Sequence, residues 1–321
     1  KREKSTLKWR NRMCKTFDVT HTMSRLMKGQ EKFEAVESPP EEDPFAELYE
    51  GLDFIDDISG APLVKELAIA ARRLEIEFFR NMGVYTKIKR ESWMKVITTR
   101  WLDVNKGDDI HPRYRSRLVA RQLKAHDKSG ASFFAPTPPL EALRSVLSLA
   151  ATTVGDWRPC YDKKSERRTQ ISLMDISRAY FNAKVDDDKP TYVQLPVEDP
   201  DTGVLCAKLL RHMYGTRAAA DGWHGEYSNF LRSLGFLRGD ASACVFRHAE
   251  RGVITSVHGD DFTSSGPKIQ LDWLKQEMQK KYELTEVGRL GPAEDDDKEL
   301  RILNRVVRWT PSGLEYEADP R

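Results

Sequence analysis

Apolar residues recur at helical spacing in four parts of the chain. After Pro62 this spacing predicts an amphipathic helix that Gly83 can end in a left-handed conformation, and its apolar face would comprise Leu63, Leu67, Ala70, Leu74 and Phe78. The same spacing predicts three further helices, over residues 138–153, 218–236 and 271–282.

Short or alternating apolar runs predict strands between these helices. They lie over residues 82–104, 115–121, 171–174, 251–266 and 301–310, and polar residues follow the last of them. The run over 251–266 reads as a hairpin with His-Gly-Asp-Asp at its turn. The order after residue 130 is helix, strand, helix, hairpin, helix, strand. This order predicts an α+β fold, a ferredoxin-like split βαβ sheet with helices on one face.

The charges are distributed in blocks, although the 321 residues carry a formal net charge of only +2. Residues 1–30 hold nine basic and two acidic side chains, whereas residues 31–60 hold eleven acidic groups and one Lys. Such blocks are typical of flexible tails. We therefore predict a basic, then acidic flexible extension over 1–60, a helix plus an arginine-rich part over 61–137, and the main sheet over 138–321.

Several classes of protein are excluded by composition. The chain is 39% hydrophobic, which is enough for a sizeable core, and it has no apolar run of the roughly 18 to 20 residues that span a bilayer. No secretory signal precedes the fold, so the sequence predicts a soluble protein that is cytoplasmic or nuclear. Four widely spaced cysteines are interpreted as buried reduced thiols rather than disulfides or zinc ligands: Cys14, Cys160, Cys206 and Cys244.

Three carboxylates occupy places that disfavour unpaired charge. Asp175 follows an apolar strand, and Asp260 and Asp261 follow the apolar run of the hairpin. Like charges at strand ends repel one another, and a divalent cation would relieve that repulsion. Oxygen ligands favour Mg²⁺ or Mn²⁺, and two such ions about 4 Å apart serve phosphoryl and nucleotidyl transfer. The alternative is a solvated hairpin tip, which is also our interpretation of the other acidic runs, including Asp295–Asp297.

Arginines alternate with apolar residues around residue 117. Arg115 and Arg117 would lie on one face of a strand, with Arg121 just beyond it. A cationic strand face is a candidate site for phosphate groups. The alternative is a solvated face without a ligand.

Taken together and in order, these motifs resemble the reverse transcriptase of copia-type LTR retrotransposons, over about residues 65–319. RSRLVAR resembles the family's fingers motif, LMDISRAYFNA its first catalytic motif and YVQLP the segment that follows. MYGTRAAADGW resembles Tyr-Gly-Leu-Lys-Gln-Ala-Pro-Arg-Ala-Trp, and HGDD stands at the Tyr-Val-Asp-Asp box. ILNRVV stands at the family's Phe-Leu-Gly-Ile strand.

The resemblance implies the palm and fingers of a right-hand polymerase and a role for each matching residue. Asp175, Asp260 and Asp261 would hold two Mg²⁺ or Mn²⁺ ions. Tyr180 would exclude the ribose 2′-hydroxyl, for which plain core packing is the alternative. The dNTP triphosphate would contact the backbone N–H groups and side chains of a further set: Arg117, Ile176, Ser177, Arg178, Ala179 and Arg217. Arg115 and Arg121 would contact phosphates or the template.

The implied partners are an RNA template, a DNA primer, dNTPs and other parts of a Pol polyprotein such as integrase and RNase H, but no membrane. The implied location is a cytoplasmic virus-like particle or the nucleus. Two departures leave alternatives open: Ala218–Asp221 replace Gln-Ala-Pro-Arg, and His258–Gly259 replace Tyr-Val. The competing hypotheses are a catalytically decayed remnant that only binds nucleic acid and a host interaction protein that uses the fold as a scaffold.

Overall fold

The computed structural model describes residues 49, 51–108, 110–122, 136–154 and 157–319. Most of the predicted 1–60 extension and Cys14 lie outside these residues. The helices within them are α1 (Lys65–Asn81), α2 (Leu140–Ala151), α3 (Ala219–Ser233) and α4 (Lys268–Gln279), with a short 3₁₀ helix at Ala179–Asn182. Among the described helices, none combines the length and apolarity needed to cross a lipid bilayer.

Fifteen strands connect the helices in the described ranges. They are β1 (Tyr85–Lys89), β2 (Val96–Ile97), β3 (Thr99–Asn105), β4 (Tyr114–Ala120), β5 (Thr169–Ile176), β6 (Tyr192–Gln194), β7 (Leu205–Leu209), β8 (Leu237–Arg238), β9 (Val245–His248), β10 (Val253–His258), β11 (Asp261–Pro267), β12 (Leu284–Leu290), β13 (Glu299–Ile302), β14 (Arg305–Thr310) and β15 (Gly313–Ala318). Among these strands, β6, β7, β8, β9 and β12 were not predicted from the sequence.

The chain divides into two compact units. The small unit comprises the described residues up to Glu77, together with Trp101–Leu118 and Pro196–Pro200. The sheet unit comprises the described residues of Phe78–Arg100, Val119–Leu195 and Asp201–Arg321.

The sheet unit is organised around a six-stranded sheet of order β12-β5-β11-β10-β9-β8, in which every neighbouring pair is antiparallel. Its first four strands, with α3 after β5 and α4 after β11, have the βαββαβ connectivity of a split βαβ fold. The predicted α+β class is therefore present. The sheet strand that follows α4 is β12, however, whereas the predicted strand over 301–310 lies in a separate sheet of order β13-β14-β15. A four-stranded sheet of order β1-β7-β6-β2 belongs to the same unit.

The prediction that helices cover one face of this sheet was wrong. On one face, Met174 and Ile176 of β5 pack with apolar residues of α3 and α4. On the other face, Ile171 and Leu173 pack with α2 and with the strands β13 and β14. Side chains alternate along a strand, so β5 is apolar on both faces and both need cover. The sheet is consequently a buried layer.

The C-terminal part also differs from the prediction. The segment read as one strand is the hairpin of β13 and β14, because Leu303 and Asn304 both take positive φ (49° and 58°) as a type I′ turn requires. The residues expected to be a polar end form β15, whose Leu314 and Tyr316 pack on the core. The Asp295–Asp297 run is not a solvated turn either, since buried Asp296 accepts from Gln170 Nε2 at 2.6 Å.

The small unit has a partly ionic core. Arg72 of α1 pairs with Asp103 at 2.6 Å and with Glu198 at 3.3 Å, both buried. The buried face of α1 is not the predicted one. Leu67 and Leu74 of the predicted face are 40% and 41% exposed. The buried residues are instead Ala68, Ala71, Glu75 and Phe79.

Residues 51–60, assigned to the flexible extension from the sequence, contribute to this core. Phe54 is buried against α1, and the Asp56 carboxylate accepts backbone N–H groups of Ile58, Ser59 and Asn105. The predicted boundary at residue 60 therefore falls inside packed structure. In the described residues Cys160, Cys206 and Cys244 are free thiols, and the last two are buried.

Candidate active site

Two of the predicted carboxylates lie directly opposite each other in the six-stranded sheet. Asp175, the penultimate residue of β5, pairs in register with Asp261, the first residue of β11. The row continues to His258 on β10 and to Thr285 on β12. Directly opposed residues have Cβ atoms about 5 Å apart and side chains on the same face. The register therefore places both carboxylates side by side at one end of the sheet.

Asp260 joins them in the two-residue turn between β10 and β11. Gly259 takes a φ of +64° at the first turn position, as a type II′ hairpin requires. Its carbonyl oxygen accepts a hydrogen bond from Trp223 Nε1 of α3 at 2.8 Å, and the Asp260 carbonyl accepts one from the N–H of Ile176 at 3.0 Å. The core helix and the neighbouring strand thus both hold the turn in place.

The electrostatics of this corner are unfavourable for three bare carboxylates. Burial, then the charges of Asp260 and Asp175, raise the pKa of Asp261 to about 7. Across the described ranges, no three or more His, Cys, Asp or Glu side chains converge as a preformed metal site. The mutual repulsion and the oxygen-only donors nevertheless fit a divalent cation, which would favour the ionised form of all three groups.

The end of β5 and the loop after it correct part of the predicted triphosphate site. The N–H of Ile176 donates to Asp260, and the N–H of Ser177 donates to the carbonyl of Glu283 at 2.9 Å. These two N–H groups are therefore already used within the protein, and their predicted role toward a triphosphate was wrong. Arg178 takes a left-handed φ of 48°, with its guanidinium 3.6 Å from the centre of the Phe78 ring.

Tyr180 lies in the 3₁₀ helix that follows. Its ring is partly buried against the apolar core of the sheet unit, and its centroid lies 4.7 Å from that of Tyr214. The residue is thus packed and partly exposed at once. This position is compatible with both interpretations of Tyr180, as the residue that excludes a ribose 2′-hydroxyl and as a residue of the core.

The arginines are divided between the two units. In the small unit, Arg115 and Arg117 alternate along β4 with the buried Ser116 and Leu118, as predicted. In the sheet unit, Arg121 is exposed, and the next residue, Gln122, accepts the N–H of Arg217 through its side-chain oxygen at 2.9 Å. The structure therefore brings Arg121 and Arg217 onto neighbouring segments.

Trp223 donates to the turn that carries Asp260, and His258 pairs in register with Asp261, but neither was assigned a role at the site from the sequence. The strand pattern alone places His258 on the same face as Asp261, so alternation could have identified it. Its Nδ1 atom is buried and has no hydrogen-bond partner among the described residues. It borders a cavity of about 240 Å³ that is also lined by the start of α2 and the Leu303–Asn304 turn.

Comparison with known proteins identifies the family. The sequence model for "Reverse transcriptase (RNA-dependent DNA polymerase)" matches residues 82–292. The Pol polyprotein from transposon TNT 1-94 of Nicotiana tabacum is 23% identical over 72% of this chain and 17% of its own length. The Pol polyprotein from transposon RE1 of Arabidopsis thaliana is 26% identical over 61% of this chain and 14% of its own length. The chain thus spans about a sixth of the length of these relatives.

A putative transposon Ty5-1 protein of Saccharomyces cerevisiae is 30% identical over 36% of this chain and 39% of its own length. Among solved structures, the foamy viral protease-reverse transcriptase in complex with double-stranded DNA matches with a TM-score of 0.43 and 14% identity, over 77% of this chain and 35% of that one. Since the family model covers well over half of the residues, the chain belongs to the reverse transcriptase (RNA-dependent DNA polymerase) family of copia-type retrotransposons.

Proposed function

We propose that this chain is an RNA-directed DNA polymerase that adds dNTPs to the 3′-hydroxyl of a primer. The observation that carries the proposal is the register of Asp175 opposite Asp261, with Asp260 in the adjoining turn. In this proposal the six-stranded sheet with α3 and α4 is the palm, β3 and β4 belong to the fingers within residues 61–137, and residues 138–321 contain the palm and connection.

Asp175, Asp260 and Asp261 would hold two Mg²⁺ or Mn²⁺ ions, because carboxylate oxygens are the ligands that these hard cations prefer. The ions, when bound, would supply charge stabilisation for the attacking and leaving oxygens of nucleotidyl transfer. The support is electrostatic: burial, and then the charges of its two carboxylate neighbours, raise the pKa of Asp261, so the three groups already act on one another.

The remaining residues would bind and orient the nucleotide and the nucleic acid. Arg117 and Arg217 would pair with triphosphate oxygens, for which a planar guanidinium suits bidentate contact. After β5, the N–H groups of Arg178 and Ala179 would face the triphosphate. The ring of Tyr180 would stand where a 2′-hydroxyl would otherwise fit.

The proposed partners are an RNA template and a DNA primer, with Arg115 and Arg121 contacting phosphates or template. Because the similar proteins are Pol polyproteins, we also propose that integrase and RNase H segments accompany this domain. The alternative of a decayed, nucleic-acid-binding remnant is favoured by one observation. The start of α3 lacks the Gln-Ala-Pro-Arg motif of the family, which Ala218–Asp221 replace here.

Primer extension on poly(rA)/oligo(dT) with dTTP and Mg²⁺ or Mn²⁺ tests the proposal. The wild type should extend the primer, and Asp260→Asn should lose on the order of 10³-fold in rate, as expected for a group that supports transition-state charge. The matched control is Asp187→Asn, an exposed carboxylate in the loop before β6. Binding of the template–primer without extension under either metal would instead favour the remnant.

A further inference from the structure

Tyr214 is the closest aromatic neighbour of Tyr180 among the described ring contacts. The two centroids are 4.7 Å apart, and the planes are tilted by 53°. Tyr214 also lies 5.7 Å from Phe181, nearly edge-on at 74°. The same ring therefore contacts two successive side chains of the 3₁₀ helix. Aromatic pairs at such distances prefer specific mutual orientations, so each ring limits the positions of the other.

The segment that carries Tyr214 is itself fixed along the 3₁₀ helix. Arg211 Nη1 donates to the carbonyl of Phe181 at 3.0 Å, and the N–H of His212 donates to the carbonyl of Ala183 at 2.9 Å. Two hydrogen bonds thus join this segment to the backbone on the far side of Tyr180.

The end of β4 fixes Tyr214 from the other direction. The carbonyl oxygen of Tyr214 accepts a hydrogen bond from the N–H of Ala120, the last residue of β4, at 2.8 Å. The next residue, Gly215, has a φ of +82°, and a Cβ there would lie 1.9 Å from the Ala120 carbonyl oxygen. Only glycine permits so close an approach. Tyr214 is consequently anchored by its own backbone, with its ring against the Tyr180 ring.

We propose that Tyr214 is the positioning residue that sets sugar selectivity, by holding the Tyr180 ring against the nucleotide. The inference rests on the proposed function, because it assigns Tyr180 to the sugar. Discrimination between a hydrogen and a hydroxyl at one carbon depends on placement to within a fraction of an ångström, and a displacement of about 1 Å can change a rate 10²-fold. Removing the Tyr214 ring leaves space into which the Tyr180 ring can retreat.

The experiment measures kcat/KM for dTTP and for 5-methyl-UTP, which differs from dTTP only in its 2′-hydroxyl, on the same poly(rA)/oligo(dT) substrate and takes their ratio. Tyr214→Leu and Tyr214→Met both remove the ring and keep apolar volume, so the proposal does not depend on one variant folding. In each, the preference for dTTP should fall about 10-fold or more, chiefly through faster addition of 5-methyl-UTP. Tyr214→Phe keeps the ring and should stay within about 2-fold of the wild type.

Phe230→Leu is the matched control, since Phe230 packs on Tyr282 in the same apolar core, with a centroid distance of 5.2 Å. Its ratio should equal that of the wild type even where thermal unfolding shows a comparable loss of stability. An unchanged ratio in Tyr214→Leu and Tyr214→Met, with dTTP addition intact, overturns the role of Tyr214 alone. No dTTP addition by the wild type overturns the proposed function and this inference together.

Discussion

Replacing Asp261 by Asn should stabilise the metal-free protein at pH 8. The Asp261 carboxylate has a pKa of about 7 instead of 3.8, because it is buried and lies near Asp260 and Asp175. The folded state thus binds the proton more tightly than the unfolded state. The free energy of unfolding is therefore highest below the pKa of 3.8 in the unfolded state. It falls as the pH rises from 3.8 to about 7 and is lowest above the pKa of the folded state.

The magnitude follows from the size of the pKa difference. A rise from 3.8 to about 7 corresponds to about 4 kcal/mol, at about 1.4 kcal/mol for each unit. Asp261 is partly exposed, so solvent screens the repulsion, and we expect about 2 to 3 kcal/mol at pH 8. At pH 5 the folded carboxyl is largely protonated, and Asp261→Asn should gain only about 1 kcal/mol.

Urea unfolding in EDTA at pH 5 and pH 8 measures the gain in unfolding free energy of Asp261→Asn at each pH, with Asp187→Asn as the control. Added Mg²⁺ should raise the midpoint of the wild type at pH 8 and should raise that of Asp261→Asn much less, because a ligand of the cation is missing. If Asp261→Asn is no more stable than the wild type at pH 8 without metal, the ionised Asp261 carboxylate does not destabilise this corner of the sheet.

Ion pairs and glycines outside the carboxylates also determine the stability of the fold. Arg72→Ala should lower the free energy of unfolding by about 3 to 5 kcal/mol, because it leaves two buried carboxylates without their cation; urea unfolding should show almost no change for the exposed Arg80→Ala. Gly215→Ala should cost more than about 2 kcal/mol, since a Cβ there meets a backbone carbonyl. Gly225→Ala, with open space inside α3, should instead gain about 0.5 to 1 kcal/mol, which differential scanning calorimetry can detect.

The central elements could be predicted because several local signals agree. The β10–β11 hairpin combines two apolar runs with a Gly-Asp turn, and α4 carries Leu271, Leu274 and Met278 at helical spacing on its buried face. The order of these elements around Asp175 implied the split βαβ sheet. Burial of β5 on both faces could not be read from Ile171 and Leu173 alone, because the cover on each side comes from distant segments.

Other features depend on contacts that local patterns do not contain. The inward face of α1 is determined by the ion pairs of Arg72 with Asp103 and Glu198, which lie far away in sequence. The turn between β13 and β14 uses Leu303, a residue type that rarely takes positive φ. At the site, the N–H groups of Ile176 and Ser177 bond to segments that only the tertiary fold brings close.

The rate of dTTP addition to poly(rA)/oligo(dT), compared between the wild type and Asp260→Asn, shows whether the three carboxylates carry nucleotidyl transfer. The wild type should show metal-dependent addition, and the variant should lose on the order of 10³-fold in rate, with Asp187→Asn unchanged. Equal rates in the wild type and Asp260→Asn, or no addition by the wild type with either Mg²⁺ or Mn²⁺, would contradict this role of the carboxylates.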